Sequence, residues 1–140
     1  MLRAPTPRNY LAPFRRGAPT GMTPGMTRLS VRLDLAEGRI GPGKLALMEA
    51  IQTHGSVSAA ARALGMSYRR AWTLTEAINA LAASPLIEKS AGGASRGGAV
   101  LTPLGREALR LCRSAMEKAE AAGAPDIARL DALLKDGGAG

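Results

Sequence analysis

A chain of 140 residues has room for one domain of ordinary size with tails, and with aromatics at 3% its core has to be built from Leu, Ala, Ile, Met and Val. A single cysteine, Cys112, excludes an intrachain disulfide and a cysteine-rich metal site, and a single histidine, His54, leaves no partner for a His-based catalytic or metal-binding set. The net charge of +8 points toward nucleic acid, but no stretch approaches the roughly 18 apolar residues of a membrane span.

Residues 1–26 are rich in Pro, Gly, Arg and Thr, lack periodicity and are expected to be a disordered basic tail. Arg3, Arg8, Arg15, Arg16, Arg28 and Arg32 fall in residues 1–33 without a single acid, whereas residues 34–140 hold 13 basic and 11 acidic side chains. Most of the excess charge therefore belongs to residues 1–33, and any case for specific DNA binding rests on local placement in the centre. The tail lacks the apolar segment of a secretory signal, and its prolines oppose the amphipathic helix of a transit peptide. Translation from Met22 or Met26 is an open alternative, and a cytoplasmic location is expected.

Residues 27–35 alternate, with Leu29, Val31, Leu33 and Leu35 on one side and Arg28, Ser30, Arg32 and Asp34 on the other, which predicts a half-buried strand. Residues 37–39 are expected to turn the chain. Pro42 suits the first turn of a helix bearing Leu45, Met48 and Ile51, and Gly55 suits its left-handed end. Ser56 is a natural N-cap for a short helix through Val57, Ala60, Ala61 and Leu64, broken at Gly65. Ser67 opens a third helix, expected to run to about residue 83 with Ala71, Leu74, Thr75, Ile78 and Leu81 on its apolar side, where Trp72 is also expected to join the core. Pro85 stops it.

Residues 86–89 and 99–101 read as two strands joined by a glycine-rich turn at 91–98. Thr102 and Pro103 restart a helix, in which Leu101, Leu104, Ala108, Leu111 and Ala115 recur at spacings of three and four, the seam of a helix that pairs with another helix. Leu104, Ala108, Leu111 and Ala115 are the candidate dimerisation residues. Gly123, Ala124 and Pro125 are expected to interrupt this helix, leaving a short helix and flexible tail over 123–140. The expected fold is mainly α with a small β component: a winged helix-turn-helix over residues 27–122 plus a C-terminal dimerisation helix.

The two middle helices are joined by a short turn containing Gly65, the kind of joint that sets one helix steeply against the next. A helix-turn-helix needs that joint because its second helix has to enter a major groove about 12 Å wide. The third helix presents Ser67, Tyr68, Arg69, Arg70 and Thr73, side chains able to bond guanine edges or phosphates, and Arg62 on the preceding helix is placed for the backbone beside it. The alternative is that Arg69 and Arg70 form a solvated face with no partner. The turn at 91–98 lacks the order of a phosphate-cradling loop and reads as a wing, with Lys89, Ser95 and Arg96 toward DNA. Cys112 is expected to be buried and inert. No catalytic constellation is visible, and no cofactor or metal is expected.

Taken together, Gly55-Ser56-Val57-Ser58, Ala60-Ala61, the block Met66 to Trp72, Ile78-Asn79, Leu86 to Lys89 and the run from Gly92-Gly93 to Leu104-Gly105 resemble the N-terminal domain of ModE-type molybdate-responsive regulators, itself similar to the DNA-binding domain of LysR-type regulators. The resemblance covers about residues 27–120. It implies a homodimer on double-stranded DNA, bound to an inverted-repeat operator, with the third helix as recognition helix and the glycine-rich loop as wing. The β-barrel molybdate-binding domains of that family have no counterpart in the remaining residues, so a built-in molybdate sensor is not expected and any signal would come from a separate partner. The competing expectation is an architectural or adaptor module that uses its basic tail for nonspecific binding.

Overall fold

The computed structural model describes residues 27–90 and 97–137, and the expected tail over 1–26 lies outside them. Element order is β1 (Leu33–Leu35), β2 (Gly38–Ile40), α1 (Pro42–His54), α2 (Val57–Leu64), α3 (Tyr68–Asn79), β3 (Ile87–Lys89), β4 (Ala99–Leu101) and α4 (Pro103–Lys135). The fold is mainly α with a small β component. Both sheets are antiparallel pairs, β1 with β2 and β3 with β4, the second in the register Ile87 to Leu101 and Lys89 to Ala99.

Local chemistry accounts for the first helix boundaries. Pro42 occupies the first turn of α1, and Gly55 closes it at φ +77°. Ser56 caps α2 by accepting from the Ala59 N–H at 3.0 Å, and Ser67 caps α3 by accepting from the Arg70 N–H at 3.1 Å. Between them Gly65 stands at φ +65°, and its N–H and that of Met66 satisfy the last carbonyls of α2. No side chain would be crowded at Gly65, so the left-handed backbone alone is what calls for glycine there.

The core lies where α1, α2 and α3 converge on the second hairpin. Leu45, Leu47, Met48 and Ile51 of α1 meet Val57, Ala60 and Ala61 of α2, Ala71 and Ile78 of α3, and Leu86, Ile87, Ala99 and Leu101 of the hairpin, all buried. Alanine at 60, 61 and 71 lets the helix backbones approach, so packing substitutes for large side chains. The hairpin is stitched to the α1–α2 junction as well: the Ala99 N–H donates to the Gly55 carbonyl at 2.8 Å, and Gly98 bridges Ser56.

Four expectations are corrected. The strand predicted over 27–35 is confined to Leu33–Leu35, because its partner among the described residues is the three-residue β2. The turn expected at 37–39 falls at residues 36–37, and Gly38 and Arg39 belong to β2. Helix α3 ends at Asn79 rather than near residue 83, because the Asn79 side chain is recruited by the chain beyond: Oδ1 accepts from the N–H groups of Leu86 and Ile87, each at 2.9 Å, and Nδ2 donates to the Ile87 carbonyl at 3.0 Å. Leu81 accordingly packs on the core from outside the helix.

The fourth correction concerns α4, which runs unbroken for 33 residues with Pro125 inside it. Proline there forfeits the backbone bond to the carbonyl of Ala121, an exposed residue. The flanking Ala, Glu, Leu and Lys residues are strong helix formers and carry the helix across. Residues 27–29 lie along this stretch: the Thr27 hydroxyl donates to Asp131 at 2.7 Å, and a Cβ at Gly123 would come within 3.3 Å of the Leu29 side chain.

Candidate nucleic-acid interface

The outward surface of α3 follows from its buried one. Ala71, Thr75 and Ile78 face the core, and the Thr75 hydroxyl is satisfied by the Ala71 carbonyl at 2.8 Å. At 100° per residue the opposite face carries Arg69, Thr73 and Glu76, flanked by Arg70 on one side and Tyr68 and Trp72 on the other. Ser67, Tyr68, Arg69, Arg70 and Thr73 are all exposed, and Arg62 is exposed on α2. Ser67, Arg69, Arg70, Thr73 and Leu74 line a shallow open concavity. The Thr73 hydroxyl donates to the Arg69 carbonyl at 3.0 Å and keeps its lone pairs for an outside donor. The face offers two guanidinium forks and two hydroxyls within two helical turns, donors matched to phosphate oxygens or base edges.

Trp72 is not a core residue. It is 41% exposed, and Tyr68, one turn earlier, is 55% exposed with its ring centre 6.2 Å away. The core side of α3 is filled by Ala71, Thr75 and Ile78, which leaves the indole at the edge facing β3. There Lys89 reaches it: the ammonium lies 3.5 Å from the ring centre and is ion-paired with Glu76. Lys89, expected to face DNA, is thus engaged inside the chain. Nothing in the spacing of Lys89 announces this pairing, whereas the four-residue step from Tyr68 to Trp72 could have suggested an aromatic pair. The other hairpin residues predicted to face DNA, Ser95 and Arg96, lie outside the described residues.

The four predicted dimerisation residues sit on α4 as follows. Leu104 (48%) and Leu111 (53%) are exposed, as is Ala115, while Ala108 is half-buried against the core. The side of α4 that the body covers carries Gly105, Leu109 and Met116 instead. Arg113 of α4 is ion-paired with Glu49 of α1, which holds its guanidinium above the usual range. Cys112 is half-buried, and burial pushes its thiol up. Among the described residues no group of His, Cys, Asp or Glu is placed to hold a metal ion, and no helix is long and apolar enough to cross a membrane.

No protein-family model matches the chain. It is 43% identical over 83 residues to the molybdenum-pterin-binding protein MopB of Rhodobacter capsulatus, covering 59% of this chain and 31% of that protein. With the molybdenum transport protein ModE of Azotobacter vinelandii it shares 34% identity over 89 residues, 64% of this chain and 33% of the relative. The DNA-binding transcriptional dual regulator ModE of Escherichia coli K12 is 37% identical over 70 residues, 50% of this chain and 27% of the regulator. The chain is similar to ModE and MopB. The likeness extends over about a third or less of each of these relatives.

Proposed function

We propose that this chain is a sequence-specific DNA-binding module of a transcriptional regulator, built as a winged helix-turn-helix like that of ModE- and LysR-type proteins. In this reading α2, the turn at Gly65 and α3 are the helix-turn-helix, α3 enters the major groove, and the hairpin of β3 and β4 is the wing. The carrying observation is the exposed first half of α3, where Arg69, Arg70, Ser67, Tyr68 and Thr73 project immediately after the tight joint. Similarity to a regulator named for DNA binding supports it. Arg69 and Arg70 bond base edges or phosphates, Tyr68, Ser67 and Thr73 complete the set, and Arg62 grips the adjoining backbone. Arg96 and Ser95, in the glycine-rich segment between β3 and β4 in the sequence, are assigned to phosphates. The apolar stripe of Leu104, Leu111 and Ala115 pairs with a second copy, so that two α3 helices address half-sites about 34–36 Å apart. The protein works in the cytoplasm, where its operator is, and performs no catalysis.

Selection of duplex sites from a random library with the full chain tests this reading. The expected result is an enriched inverted repeat, bound more tightly than random DNA by a factor on the order of a thousand. Arg70→Ala is expected to relax base preference, and Arg96→Ala to weaken binding evenly across sequences. Equal affinity for every duplex overturns it.

The concentration of arginine in residues 1–33 favours a second reading, an adaptor held to DNA nonspecifically by its tail. Removal of residues 1–26 separates the two: loss of nearly all affinity assigns binding to the tail, and a retained site preference assigns it to α3.

A further inference from the structure

Glu76 stands on the same outward stripe as Arg69 and Thr73, at helical steps of four and three. An unpaired carboxylate there would repel the phosphates that the two arginines attract. Among the described residues the cation paired with it comes from a different element: Lys89, the last residue of β3, whose ammonium is paired with Glu76 and capped by the indole of Trp72 at 3.5 Å from the ring centre. The Lys89 side chain is 27% exposed although it lies at the rim of the sheet, and Trp72 in turn leans on Tyr68. The hairpin strand is therefore fastened to the outward side of α3 at the point where the chain departs for the hairpin tip.

We propose that Lys89 is a positioning residue: clamped between Glu76 and Trp72, it fixes the hairpin against α3, cancels the Glu76 charge on the groove-facing stripe, and binds no phosphate itself. An ammonium satisfied by a carboxylate on one side and a π-face on another gains little by exchanging them for a solvated phosphate. The clamp also sets the distance between α3 and the wing, so both meet the duplex as one body. This inference rests on the DNA-binding reading above for its consequence, and on contacts within the free chain for its existence.

The double variant Lys89→Met with Glu76→Gln removes the clamp and preserves net charge, and Lys89→Arg keeps a cation over the ring. Binding of the full chain to a fluorescein-labelled duplex of the selected site is measured across a salt series, and Trp72 emission is recorded without DNA. Trp72 is the sole tryptophan, so the emission comes from this indole alone. The expected results are an affinity loss of about fivefold to tenfold in the double variant, an unchanged slope of log affinity against log salt, altered emission in the DNA-free double variant, and recovery of both affinity and emission in Lys89→Arg. A slope reduced by about one makes Lys89 a phosphate ligand and overturns the proposal. Unchanged affinity, or emission identical to wild type, overturns it equally. Failure of the wild-type chain to prefer any duplex removes the DNA-binding reading instead, and the emission measurement still decides whether the clamp exists.

Discussion

The carbonyl oxygen of Leu86 occupies the space that a side chain on Gly105 would enter: a Cβ there would stand 2.0 Å from the oxygen and 2.9 Å from its carbon. The contact is backbone on backbone, so no rotamer change relieves it. Thr102 holds the two segments in this position. Its hydroxyl donates to the Pro85 carbonyl at 2.9 Å, accepts from the Gly105 N–H at 3.0 Å, and its own N–H donates to Leu86 at 3.0 Å.

Gly105→Ala is accordingly expected to destabilise the chain by about 3 kcal/mol or more, against the usual gain from alanine in a helix. Gly43, in the first turn of α1 with nothing within 4 Å of its would-be Cβ, is the matched control. Gly43→Ala should be neutral or stabilising by up to about 1 kcal/mol. Urea denaturation followed by circular dichroism checks both, and similar midpoints for the two variants would contradict the geometry.

Asn79 ends α3 and orders the start of β3 with one side chain. Asn79→Ala leaves the N–H groups of Leu86 and Ile87 and the Ile87 carbonyl without these partners, an expected loss of about 2–3 kcal/mol. Amide exchange at Leu86 and Ile87 should quicken more than exchange in α1. Uniform acceleration across the chain would place the effect elsewhere.

Pro125 costs α4 a backbone bond at an exposed site, so Pro125→Ala should strengthen the helix locally by up to about 3 kcal/mol. Little of the C-terminal half of α4 is buried, so the gain is expected as slower amide exchange after residue 125, with little movement of the global midpoint. A midpoint raised by the full amount would mean that this half is cooperative with the body.

The Asp131 carboxyl is held below the usual carboxylate range, first by the Thr27 hydroxyl and then by Lys135. A depressed folded value means that the contact stabilises above the ordinary carboxylate pKa of about 3.9. The contribution is lost as pH falls below that value and through the folded one. Thr27→Val should raise the Asp131 titration toward the ordinary value, measurable by carboxyl NMR, and an unshifted titration would show that residue 27 does not reach α4.

Helix boundaries set by neighbouring residues were legible in the sequence: Pro42, Gly55, Ser56, Gly65, Ser67 and Thr102 all act where local rules place them. Asn79 and Gly105 were opaque because their partners, Leu86 and Ile87, are brought to them only by the turn after α3. Alternation over 27–35 pointed to a strand without revealing how short the partner strand is, and Leu35, expected on the buried side, is exposed. Pro125 reads locally as a breaker, yet the bond lost at an exposed site is outweighed by the helix formers around it. In the candidate interface, the exposure of Ser67, Arg69, Arg70 and Thr73 followed from the cap and the 3.6-residue period. The indole of Trp72 and the ammonium of Lys89 did not, since their meeting depends on which edge of α3 the hairpin covers.

At about 1.5 Å per residue, α4 is about 50 Å long, and its last buried residue is Met116. Everything beyond is a cantilever of about 28 Å rooted at Met116, and a tilt of about 5° at that root displaces the far end by about 2.5 Å. Thr27 and Leu29 touch it near Asp131 and Gly123, well out along the span, and turn the cantilever into a braced beam. The angle at which α4 leaves the body is thereby set from two places far apart in the chain, and a change at either one is magnified at the tip.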